Sequence, residues 1–95
     1  MGKFGIGKLY MTRGVYEKVK TDLDFQNFVD SSFARFVSCD WGDMCNEDKM
    51  LNDDAVKYND GRIHGAYLSE KLNIEIWIIT EADRSATTIL FPSEY

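Results

Sequence analysis

Between residues 25 and 37 the apolar positions Phe25, Phe28, Val29, Phe33, Phe36 and Val37 recur at intervals of three and four. That spacing runs one apolar stripe down a helix of about four turns. The preceding TDLD, residues 21–24, is an aspartate version of a capping box and marks where the helix starts. Further on, a helix is expected from Asn46 or Glu47 to Tyr58, with acids at its positive end. Met50, Leu51, Ala55 and Tyr58 are expected on its buried side. Asn59-Asp60-Gly61 stops it, with asparagine or glycine available for a left-handed cap. Three alternating or apolar runs then read as strands: Arg62–Leu68, Ile74–Thr80 and Ala86–Phe91. In the first, Arg62, His64 and Ala66 share one face and Ile63, Gly65 and Tyr67 the other. At the beginning, Phe4–Met11 reads as a strand kinked by its glycines, followed by a Thr12 cap and a short helix over Arg13–Lys20. The expected architecture is α+β: an antiparallel sheet of about four strands with two to three helices packed on one face.

Ninety-five residues with 44% hydrophobic content suit one domain spanning 1–95. The two cysteines, Cys39 and Cys45, are too few for a secreted disulfide scaffold. No apolar run is long enough to span a bilayer, and MGKFGIGKLYMTRG lacks the apolar core of a signal peptide. No membrane association is expected, and a cytoplasmic location is. The net charge is −5, unevenly placed. Residues 1–20 carry +4 and residues 40–60 carry −5. An acidic chain is a poor match for phosphate backbones, so direct nucleic-acid binding is not expected.

The turn EADRS, with Glu81, Asp83 and Arg84, is either a site corner or simply the loop of a hairpin. His64, the one histidine, is a candidate general base beside Glu75 or Glu81 and Arg62 or Arg84. Cys39 and Cys45 miss the paired spacing of zinc sites, and DWGDMCNED misses the register of a calcium loop, so no metal or other cofactor is expected. Trp41, within an acidic loop, either plugs the core or anchors an interface. The acidic segment itself is either a solvated face or a docking surface for a basic protein, with Asp40, Trp41, Asp43, Glu47 and Asp48 as its contacts.

DWGDMCNEDKMLND, GRIHGAY and IWIITEADRSATTILFPSEY, together with the opening GKLYMTRGV, resemble a family of small bacterial proteins. Its members are usually labelled "plasmid-related protein" and often "type I restriction endonuclease subunit M". The likeness covers nearly the whole chain, with MCNED standing where a more acidic LCEED-like stretch is expected. It implies a mobile-DNA context and supplies no catalytic residues. A methylation subunit needs a glycine-rich cofactor loop and an NPPY-type motif, and the chain has neither. The first reading is therefore a non-enzymatic accessory protein that binds another protein, such as a component of a host defence system it inhibits. The alternative is a small hydrolase or nuclease using His64 with nearby Glu and Arg. A homodimer formed along a sheet edge is a third.

Overall fold

The first two helices begin where a local side chain meets a free N–H group of the first turn. In the computed structural model, which describes residues 3–95, Thr12 opens α1 (Arg13–Thr21) and accepts the Val15 N–H at 3.5 Å. Met1 and Gly2, the start of the segment weighed as a leader, lie outside the described residues. Asp22 opens α2 (Leu23–Val37) by accepting the Phe25 N–H at 3.0 Å. That bond is the main cause holding its carboxyl below the usual aspartate range. The α2 stripe is buried along Phe25, Val29, Ser32 and Phe36, and Phe28, Phe33 and Val37 flank it. Each fully buried large apolar side chain contributes roughly 1.5–3 kcal/mol.

The strands are β1 (Lys8–Met11), β2 (Ile63–Ser69), β3 (Ile74–Thr80) and β4 (Ala86–Leu90), in the spatial order β1-β4-β3-β2. With the helices they form the expected α+β fold. The expected antiparallel pairing holds for β2–β3 and β3–β4, whereas β1 lies parallel to β4, so the sheet is mixed. Parallel neighbours need a long crossover, and nearly all of the chain lies between these two strands. Residues 4–7, expected to belong to the first strand, stay outside it. Gly7 has φ +62°, and a Cβ there would run into the Ser85 carbonyl, so the backbone turns before pairing begins.

Ile63, Tyr67, Ile76, Ile78 and Ile89 face Val15, Phe25, Val29 and Phe36 to form the core. The opposite sheet face presents His64, Ala66 and Trp77. A third helix, α3 (Asn46–Tyr58), sits beside β2 and ends in a left-handed Asn59 with φ +52°. Its orientation overturns the expectation that Met50, Leu51 and Tyr58 are buried. Asn52 and Ala55 are the buried residues, and those three are each 66% exposed. The cause is polar. Asn52 must face β2, where its side chain donates to the His64 carbonyl at 2.8 Å and accepts the His64 N–H at 3.0 Å. Among the described residues, no helix is long and apolar enough to cross a membrane.

Candidate functional site

The segment DWGDM wraps the outer edge of β2. The Trp41 carbonyl accepts the Ala66 N–H at 3.1 Å, the Asp43 N–H donates to the Ala66 carbonyl at 2.7 Å, and the Asp43 carboxylate accepts the Leu68 N–H at 2.9 Å. The Asp40 carboxylate is held by Arg35 through two bonds of 2.8 and 3.2 Å and accepts the Gly42 N–H at 3.1 Å. Arg35 is the chief cause lowering the Asp40 carboxyl below its usual range. The Asp40 carbonyl accepts the hydroxyl of buried Tyr67 at 2.8 Å. Trp41 is 3% exposed, packed edge-on against Phe36, with its indole N–H on Asp53 at 2.9 Å. It plugs the core, the first of the two roles weighed for it, and is not an exposed contact.

Glu47 and Asp48 lie exposed in the first turn of α3. On the outward side of that helix, Glu47, Met50, Leu51, Asp54 and Tyr58 follow one another at intervals of three, one, three and four, and all are exposed. They form a single acidic and apolar stripe. Met50, Leu51 and Tyr58 were missed as surface residues because their spacing fits a buried stripe equally well. The one signal against that reading was Asn52, a polar residue that needs a buried partner.

Between α3 and the open sheet face lies a groove of about 450 Å³. Asp43, Asp48 and Leu51 form one wall, and His64, Glu75 and Trp77 line the sheet side. Arg62 stands at the rim, donating to the Tyr95 hydroxyl at 2.9 Å and stacking on that ring. The His64 ring meets Trp77 edge to face at 4.6 Å, and its Nε2 is enclosed with no hydrogen-bond partner among the described residues. Burial, and then the Arg62 charge, hold the imidazole below the ordinary histidine value. The fold thus brings His64 together with Glu75 and Arg62. Glu81 and Arg84 are placed elsewhere.

EADRS is the β3–β4 hairpin loop. Arg84 adopts a left-handed φ of +62° and sends its guanidinium to the Gly61 carbonyl at 2.7 Å and the Ala55 carbonyl at 2.8 Å. A cation placed on the Ala55 carbonyl, in the last turn of α3, complements the negative end of the helix and ties it to the hairpin. Asp83 accepts the Ser85 N–H at 2.9 Å, which closes the turn, and Glu81 is exposed. Cys39 is half-buried with its thiol pushed up by burial, and Cys45 is exposed at the start of α3. Comparison with protein-family models, curated proteins and solved structures gives no match.

Proposed function

We propose that the chain is a non-enzymatic protein-binding module that docks a basic partner on the outward face of α3. One observation carries this reading. Met50, Leu51 and Tyr58, each 66% exposed, share that face with the acids Glu47 and Asp54. Isolated exposed apolar residues are ordinary, but three large ones on one acid-rimmed helix face form a patch. The acids would steer a basic protein onto the face and select against acidic ones. The wider setting of mobile DNA rests on the sequence resemblance, and a host-defence component is the partner proposed within it. Affinity capture from the native host tests the reading, with wild type beside Leu51→Asp and Glu47→Lys chains. The expected result is a partner with a basic surface, retained by wild type, lost by both variants and released by salt. A partner held equally by all three chains would remove the α3 face from the reading.

A second reading has one observation in its favour, the shared groove of His64, Glu75 and Arg62. It treats the chain as a small hydrolase or nuclease with His64 as general base. A folded His64→Ala chain that loses turnover of an RNA or ester substrate would establish it.

A further inference from the structure

The polar atoms of the groove are unequally spent. Asn52 uses both ends of its amide on the His64 backbone. The Trp77 indole N–H is donated to Glu75 Oε2 at 2.9 Å, and among the described residues the other Glu75 oxygen has no bond. Asp43 likewise uses one carboxylate oxygen on Leu68, and Asp48 takes part in no hydrogen bond or ion pair among the described residues. Arg62, the cation of the rim, spends one N–H on Tyr95 and stacks on that ring. Three carboxylates against the single cation Arg62 leave the lining acceptor-rich and net negative. Leu51, Ala66 and Trp77 supply apolar surface beside them. A ligand that satisfies such a lining is rich in donors, positively charged and carried on an alkyl stem. The groove volume falls within the range of small-ligand sites.

We propose that the groove receives a basic side chain of the docked partner, an arginine laid along Trp77 between Asp48 and Glu75. This rests on the reading of α3 as a docking face, because Leu51 belongs to both the face and the groove wall. The planar guanidinium suits carboxylates and aromatic rings together, since it forks onto the first and stacks on the second.

The test uses N-acetyl-arginine amide as the probe and the uncharged N-acetyl-citrulline amide as its isostere. Amide and side-chain NMR shifts of the full chain report binding. The expected result is saturable movement of the His64 and Trp77 ring signals by the arginine probe, at least about tenfold weaker with citrulline. Asp48→Asn and Glu75→Gln should each weaken the arginine probe by about tenfold, the loss of one charged partner. Both sites are exposed, and the glutamine keeps an oxygen for the Trp77 N–H. Asp30→Asn, the same charge change on α2, should leave binding as it was. Equal shifts from the two probes, or binding unaltered in Asp48→Asn and Glu75→Gln, would overturn the proposal. Agmatine separates the two sources of such a cation, and tenfold tighter binding of agmatine than of the blocked arginine would overturn the assignment to a partner's side chain. Failure here leaves a partner captured through Met50 and Leu51 standing, and loss of that partner leaves a bound probe standing.

Discussion

The two edges of the sheet are protected in opposite ways. At β2, the positions whose backbone faces outward are His64, Ala66 and Leu68, and all three of their N–H groups are met. Asn52 takes both groups of His64, the 41–43 backbone takes both groups of Ala66, and Asp43 takes the Leu68 N–H. At β1, the N–H groups of Lys8 and Thr12 are given to Ser85 and Ile89 across the pairing with β4. Those of Leu9 and Met11 consequently point away from the sheet, and no acceptor among the described residues meets them. Leu9 and Tyr10 are 45% and 50% exposed. A long edge invites pairing with other chains unless it is covered, whereas a short one bearing lysine is blunted by its own sequence. The seven-residue β2 is covered, and the four-residue β1 carries Lys8. The acidic loop thus has a structural duty that its composition does not announce. Much of its polarity is spent on the β2 edge before any partner arrives.

The sharpest way to break this comparison is Gly42→Ala. Gly42 has φ +76°, and a Cβ there would run into the Ala66 carbonyl and the Tyr67 ring. The loop must then leave the β2 edge, exposing Ala66 and loosening Trp41. The expected loss is about 3 kcal/mol of folding stability, read from the urea midpoint. A loss within about 0.5 kcal/mol would show that the loop is not what protects β2.

A paired test follows with a smaller effect. Asn52→Ala leaves the N–H and carbonyl of His64 without partners and should cost about 2 kcal/mol. Leu9→Lys, at the open edge, should cost no more than about 0.5 kcal/mol, because that side chain is half exposed and the edge already bears a lysine. Both are measured by the same denaturation curves. Similar losses at the two positions would erase the distinction between a covered and a self-protecting edge.

What the sequence discloses follows the range of the deciding interactions. The α2 stripe and its Asp22 cap are legible because each is settled within a few residues. The β3–β4 hairpin is legible for the same reason, with β3 bounded as the alternation predicts. The parallel seat of β1 depends on a strand almost the whole chain away, and no local pattern encodes that choice. In α3, a stripe of Met50, Leu51, Ala55 and Tyr58 competes for the inward face with one of Asn52, Ala55 and Val56. Apolar periodicity favours the larger side chains, but the two bonds from Asn52 to β2 decide the rotation. The site was legible only as charge. Asp40, Asp43 and Trp41 stand out in the sequence as contacts for a partner, yet their partners within the fold, Arg35, Leu68 and Asp53, lie on other elements. Trp77 and the groove became visible only once β3 was set beside α3.

The smallest expected effect is a pH dependence that belongs to the covered edge. His64 is held below the ordinary histidine value of about 6.5, chiefly by burial and then by Arg62, while Asp48 and Glu75 pull the other way. The unfolded chain therefore takes up this proton at a higher pH than the folded one. The stability contributed by the neutral imidazole is complete above about pH 6.5 and is lost as the pH falls below that value towards the folded pKa. Asp22 and Asp40 have depressed pKa values, so their contributions are lost only in more acidic solution, as their carboxyls protonate. Between pH 7 and 5 the slope of stability against pH should consequently belong to His64. His64→Gln, which retains the backbone bonds to Asn52, should flatten that slope without uncovering β2. Urea midpoints of the two chains across this range decide the matter, and a slope preserved in the glutamine chain would assign the proton to another group.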